Sequence, residues 1–310
     1  MHHHIHDHHQ HAHSHKNALL ISFILISCFV MVEFVGGILT NSLALLSDAG
    51  HMFSDAISLG VGLIAIKIGQ ITTNDSKTYG YQRIEVLAAL FNGLLLILVS
   101  IVIMWEALHR FREPHIIESK GMLLIAIIGA IVNVIVAIIL KDSHSHGHGH
   151  SHSHGNINMH AAFLHVIGDL LGSIGAIIAA LLIMYFGWTL SDPIISVIVS
   201  FLIMKSGISV SYDAVHVLME GKPDHLDIEL IRKHLLGIPG VVGIHDFHAW
   251  SITSEFPVIS CHLVISGKNH DVVLKEALKE LHDKFHIEHA TIQVESSKAE
   301  LYPYDRHSCN

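Results

Sequence analysis

Asn41-Ser-Leu-Ala-Leu-Leu-Ser-Asp-Ala-Gly-His-Met-Phe-Ser-Asp55 lies inside a long apolar run, and its last five residues set His51 and Asp55 four apart. Residues i and i+4 of a helix share a face, so the imidazole and the carboxylate project together. The same spacing returns in a later apolar run, as His165-Val-Ile-Gly-Asp169. Ionisable groups in hydrocarbon are costly and mark ion or substrate pathways. Two such pairs supply two nitrogens and two oxygens, the borderline ligand set that suits four-coordinate Zn²⁺. These four residues read as the transport site of a divalent transition metal. Asp48 shares their helix face and reads as an outer group behind the ligands.

The rest of the chain agrees. It has 310 residues, 51% of them hydrophobic and only 15% charged, with a mean hydropathy of +0.50. That balance indicates a polytopic membrane protein embedded in a lipid bilayer. A spanning helix needs roughly 20 apolar residues. Six runs qualify: Ala18–Thr40, Ser42–Gly69, Ile84–Trp105, Gly121–Leu140, Met159–Trp188 and Pro193–Val210. A net charge of −9 removes the electrostatic case for nucleic acid. Cys28, Cys261 and Cys309 are isolated, so no disulfide framework is expected. No signal peptide precedes Ala18, and the first span is expected to insert as a membrane helix. Lys16, Lys67, Lys77, Arg83, Lys141 and Lys205 flank the spans on one side, against Arg110, Arg112 and Lys120 on the other. The bias predicts cytoplasmic termini, and the bacterial inner membrane is the expected location.

Three zones follow one another: a histidine-rich arm at residues 1–16, a transport domain at 17–210, and an acidic domain at 211–310. In the last zone, Asp227–Leu236 carries apolar residues at Ile228, Ile231 and Leu235 and predicts a helix that Gly237 and Pro239 stop. Gly243–Ser251 and Val258–Ile265 alternate as hairpin strands do. Asp271–Phe285 predicts a second helix, with an apolar stripe at Val272, Leu274, Leu278 and Leu281, and Ala290–Val294 a final strand. The fold class is thus an α-helical membrane domain with six transmembrane helices plus a small α+β domain of order αββαβ. Within the spans, Gly36, Gly37, Gly168 and Gly172 predict close helix approaches. Glu33, Asp48, Asn92, Glu106 and Asn133 add more polar groups than an anchor needs.

The segment from Asn41 to Asp55 resembles the second helix of the cation diffusion facilitator family. Tyr79-Gly-Tyr-Gln-Arg-Ile-Glu85 and Ala162-Phe-Leu-His-Val-Ile-Gly-Asp-Leu-Leu-Gly-Ser173 are similar to its third-helix entry and fifth helix, and His245-Asp-Phe-His-Ala-Trp250 to the first strand of its cytoplasmic domain. The similarity runs from Ala18 to about Glu295 and is to the zinc/cadmium efflux branch. It implies six helices, a homodimer, exchange of cytoplasmic metal for external protons, and a transport site at His51, Asp55, His165 and Asp169. It also implies a regulatory or stabilising metal site at His245, His262 and Glu295, with His248 and His289 as weaker candidates. His307 and Cys309 could add a ligand across a dimer. Some members carry a further site in the loop between helices two and three. Here residues 71–82 offer Asp75, but Lys77 and Tyr81 stand where histidines might be expected, so that site is expected to be absent or weak.

Six histidines between His144 and His154 alternate with Ser and Gly in the loop 143–155. Such a tract binds metal without packing a core. With the first arm, which Ile5, Asp7, Gln10, Ala12 and Ser14 interrupt, it reads as a metal collector at the cytoplasmic mouth. Metal binds deprotonated imidazole, so protons and metal compete for it, and the ordinary histidine pKa near 6.5 suits that exchange around neutral pH. Two His with two Asp favour Zn²⁺ or Cd²⁺ over Mn²⁺, which prefers oxygen. An intramembrane protease would need a His-Glu-x-x-His helix, which is missing, and a metal sensor would need one anchor rather than six helices.

Overall fold

The computed structural model describes residues 7–68, 74–113, 115–144, 155–253, 256–267 and 269–297. Side chains are described outside residues 7–19, 55, 58–59, 62–63, 65–68, 137, 140–144, 155–169 and 171. Two compact units emerge, residues 1–81 with 87–211 and residues 82–86 with 212–310.

The first unit is built from α1 (Asp7–Thr40), α2 (Leu43–Ile68), α3 (Arg83–Arg112), α4 (Ser119–His144), α5 (Gly155–Phe186) and most of α6 (Ser191–Leu218). Each contains one of the apolar runs, and several outrun it. α1 reaches back into the histidine arm, α4 continues into the histidine loop, and α6 passes Val210, the expected domain limit. Extending an existing helix adds one hydrogen bond per residue fixed, so polar continuations propagate at little cost. Among the described residues, α1, α3, α4 and α6 contain stretches long and apolar enough to cross a membrane, and Gly172–Phe186 of α5 is a shorter apolar helix.

Helix ends follow from local chemistry. Thr40 closes α1 by donating its hydroxyl to the Gly36 carbonyl. Asn41 then takes φ 55, a left-handed conformation that Asn tolerates well. The Ser42 hydroxyl accepts the Leu45 N–H at 3.2 Å as a cap for α2. Gly187, at φ 65, turns the chain out of α5.

α1 packs on α2 and α4, α4 on α5, and α5 on α2, which closes a four-helix ring. Small residues bring these axes together. A Cβ at Gly36 would strike Ile125 of α4, and one at Gly37 would lie 2.9 Å from Leu46 of α2. α3 and α6 meet where Gly93 and Gly207 cross, each hypothetical Cβ lying 2.9 Å from the other's carbonyl oxygen.

The second unit contains α7 (Ile228–Leu236), β1 (Val241–Ser251), β2 (Pro257–Ile265), α8 (His270–Phe285) and β3 (His289–Ser296). Sheet order is β1-β2-β3. β1 and β2 form the expected antiparallel pair, and β3 runs parallel to β2 because α8 supplies the crossover. Asp227 caps α7 by accepting the Leu230 N–H at 3.1 Å. Both helices pack on one sheet face over Ile259, Cys261, Leu263 and Ile265. The buried face of α8 is Val273, Ala277 and Leu281; of the predicted stripe only Leu281 belongs to it, and Val272 and Leu278 are exposed. The small Ala277 allows close approach to the sheet, so apolarity alone mislocated the face by about a quarter turn.

Candidate metal centres

The first centre begins at Asp48, fully buried on α2. Ser173 of α5 donates to its Oδ2 at 2.8 Å, and Asn133 of α4 donates to the Ser173 hydroxyl at 3.3 Å. Buried Glu33 of α1 interacts with the Asp48 carboxyl. Four helices thus contribute to one polar cluster inside an apolar bundle. Gly172 is what lets Asp48 fit, since a Cβ there would collide with Oδ1. His51 lies one turn beyond Asp48 and is half-buried. Asp55, His165 and Asp169 stand on the helical backbones of α2 and α5; their side chains lie outside the described residues.

The packing of α2 on α5 has a register. Ala44 and Leu45 share an apolar cluster with Ala176, Ala179 and Ala180, and Asp48 meets Gly172 and Ser173. Rising numbers on α2 therefore meet falling numbers on α5, so the two helices are antiparallel.

The second centre draws one residue from each strand of the second unit. His245 Nε2 lies 3.1 Å from Glu295 Oε2, and His262 Nδ1 lies 2.8 Å from Glu295 Oε1. The two imidazoles meet edge to face at 4.9 Å. One donor atom from each of the three residues falls within a span of 4.8 Å. Period-two alternation turns this set away from the helices: Leu263 and Val294 face the core, and their neighbours His262 and Glu295 take the opposite face. His245 needs a further device. The β1–β2 register shifts between His245 and His248, and Asp246 inside that bulge has φ 49. The extra residue lets Ile244 and Phe247 both reach the core while His245 faces His262.

Glu295 is buried, and Gln293 donates to its Oε1 at 2.8 Å. A buried carboxylate against two imidazoles is a donor set that fits a borderline cation such as Zn²⁺. Asp246 Oδ2 stands 3.8 Å from His262 Nε2, a neighbour for which the sequence carried no clear signal. The hydrogen bond from His248 and the nearby imidazoles of His248, His262 and His245 hold the Asp246 carboxyl below the usual carboxylate range. His248 pairs with Asp246 at 3.0 Å and is exposed. His289 begins β3, six residues from Glu295, about 20 Å along a strand, and is apart from the cluster. Burial pushes the Cys261 thiol up to about 11, leaving it a core side chain. His307 and Cys309 lie outside the described residues. Asp75 is exposed in the turn that joins Asn74 and Lys77.

Residues 19–219 match the cation efflux transmembrane domain, and residues 223–297 match the cytoplasmic domain of cation efflux proteins. The chain belongs to the cation efflux family, and is an integral membrane metal-cation transporter rather than an enzyme. It is 46% identical over 285 residues to the cadmium, cobalt and zinc/H⁺-K⁺ antiporter of Bacillus subtilis, covering 91% of this chain and 89% of that one. It is 42% identical to the zinc transporter ZitB of Escherichia coli, over 89% and 86% of the two chains. The metal cation efflux system protein CzcD of Cupriavidus metallidurans is 38% identical, over 92% and 88%. Among solved structures, the metal-bound C-terminal domain of that CzcD transporter aligns at 38% identity, covering 23% of this chain and 99% of that one, with a TM-score of 0.22.

Proposed function

We propose that this chain exports Zn²⁺, and Cd²⁺ with it, from the cytoplasm in exchange for protons, through a site formed by His51, Asp55, His165 and Asp169. The observation that carries this reading is the contact of Asp48 with Gly172 and Ser173. Counting equal steps along antiparallel helices from that contact sets His51 level with Asp169 and Asp55 level with His165. Both histidine–aspartate pairs then span the same single turn of the bundle, from which four side chains can converge on a four-coordinate Zn²⁺. That the Bacillus relative is a cadmium, cobalt and zinc antiporter and the Escherichia relative a zinc transporter supports the choice of metal. Asp48 stands behind the ligands, oriented by Ser173.

On this reading α1 to α6 all span the bilayer, with both termini in the cytoplasm of a bacterial cell and the metal site exposed alternately to each side. The domains are the histidine arm at 1–16, the transport domain at 17–210 with its loop 143–155, and the dimer-forming domain at 211–310. His245, His262 and Glu295 hold a further Zn²⁺ that stabilises or regulates the homodimer. Imidazole loses its proton to bind metal, so loading from the cytoplasm releases protons and external protons expel the ion.

Vesicles reconstituted with the protein and loaded with a metal-sensitive and a pH-sensitive dye test this directly. Zinc entry with a matched proton signal of opposite direction is the expected result. Zinc movement without a proton signal refutes exchange, and no zinc movement refutes transport.

A further inference from the structure

The α1–α2, α3–α4 and α5–α6 turns share one end of the transport unit, and among the described residues two buried charged groups of opposite sign, Arg110 and Asp192, lie there. Asp192, in the first turn of α6, is fully buried. Its carboxylate reaches the start of α2, about 150 residues away in sequence: Oδ1 accepts the Ser42 hydroxyl at 2.6 Å and the Ala44 N–H at 3.0 Å, and Oδ2 accepts the Leu43 N–H at 2.9 Å. The first N–H groups of a helix have no partner within it, so α6 here caps α2. Arg110, from the end of α3, completes the joint. Its Nη1 lies 3.7 Å from Asp192 Oδ2 and 2.7 Å from the Asn41 carbonyl, its Nη2 donates to Asn41 Oδ1 at 3.2 Å, and its Nε to Glu106 at 2.9 Å.

This joint exceeds what α2 needs to begin. Ser42 already caps the helix from within the chain. A buried ion pair is also a poor device for stability alone, because apolar packing at the same place does as well or better. What distinguishes charged groups is that they can be rehydrated when a contact parts, whereas apolar surfaces resist exposure. The joint ties three elements: α2 belongs to the four-helix ring and meets α3 where Asn92 donates to the Ser54 hydroxyl at 2.8 Å, and α3 meets α6 at Gly93 and Gly207. Beneath the joint, Leu43, Ile103 and Ala107 make an apolar plug with Leu46, Val99 and Val197. Asp48 is only six residues from Ser42, about 9 Å along the helix. An ion leaving the Asp48–His51 level by the turn end must pass plug and joint.

We infer that the Asp192–Arg110 joint is a latch that holds the start of α2 against the α3–α6 pair and parts whenever the transport site opens toward the turn end. Asp192 and Arg110 are positioning residues for transport. The inference rests on the transport reading, and its main test does not depend on flux.

Ser47 is buried one turn below the joint, its hydroxyl bonded to the Leu43 carbonyl at 2.8 Å. Ser47→Cys therefore reports opening of the turn end. The background carries Cys28→Ser and Cys309→Ser, and Cys261 stays because its side chain is buried in the core of the second unit. In vesicles, a membrane-impermeant maleimide should label this cysteine about tenfold faster once Asp192→Asn is added, the factor expected for losing a hydrogen bond to a charged group. Maximal zinc flux should fall by a similar factor, while the zinc concentration giving half-maximal flux stays within about threefold. Ser42→Ala, which removes the 2.6 Å bond to Asp192 together with the Leu45 N–H cap but leaves both backbone N–H bonds to Asp192, should shift labelling in the same direction and serves if Asp192→Asn fails to insert. Arg110→Lys, which keeps the charge but not the fork, should fall between. Unchanged labelling in inserted Asp192→Asn and Ser42→Ala proteins overturns the latch, as does a rise in half-saturating zinc without faster labelling. Absence of flux in the parent protein would instead refute the transport reading and leave the labelling comparison intact.

Discussion

Asp55 and Asp169 supply, on the proposed reading, both ligand atoms and the negative charge that a divalent ion needs inside hydrocarbon. Asp55→Ala or Asp169→Ala should cut zinc flux by more than the roughly 10–100-fold that changes around a metal's ligands cost, with membrane insertion unchanged; vesicle flux measured beside a helicity spectrum checks both parts. In the second unit, Glu295 is the buried member of its cluster and touches both imidazoles. Glu295→Gln keeps the shape and removes the charge. Calorimetry on the full chain should then show one zinc ion fewer per protomer, with flux at saturating zinc retained; unaltered stoichiometry would exclude this cluster as a site. These residues differ in how they could be read. His51 and Asp55 announce themselves by spacing alone, because a helix converts a gap of four into a shared face. Nothing local marks Asp246, which joins the second cluster only because a bulge turns it beside His262.

At the scale of elements, the decisive contact is α2 against α5. A Cβ at Gly172 would run into Asp48, so Gly172→Ala should abolish transport although alanine favours a helix by about 1 kcal/mol over glycine. Unchanged helicity with lost flux is the expected pair of results, and retained flux would show that the two helices need not approach so closely. The apolar runs of all six long helices could be recognised from sequence, since uninterrupted apolar residues carry that signal without reference to neighbours. Helix ends were less legible. α6 continues past Val210 to Leu218, because propagation does not require an apolar side chain. The buried stripe of α8 was misread for a related reason: Val273, Ala277 and Leu281 are buried by the shape of the sheet beneath them, and alanine is a weak mark of burial.

For the whole molecule, the proposed reading assigns the histidine loop to metal supply rather than to the transport site. Deleting residues 143–154 should lower zinc uptake at low concentration and leave the saturated rate within about twofold, since a tethered arm acts through effective concentration. An unaltered concentration dependence would remove that role, and loss of flux at saturating zinc would give the loop a larger one. The sequence by itself determined the membrane class, the six apolar runs, the order αββαβ and the two His-x-x-x-Asp faces. Each follows from periodicity or composition within a single segment, where the physics is local. Only the tertiary structure decided that α2 and α5 lie antiparallel at Asp48 and Gly172, that three strands bring donor atoms of His245, His262 and Glu295 within 4.8 Å of one another, and that Asp192 caps a helix from another element. Those contacts join residues 17 to 150 positions apart. They form only where packing has already paid the entropy of bringing distant segments together, so no local pattern records them.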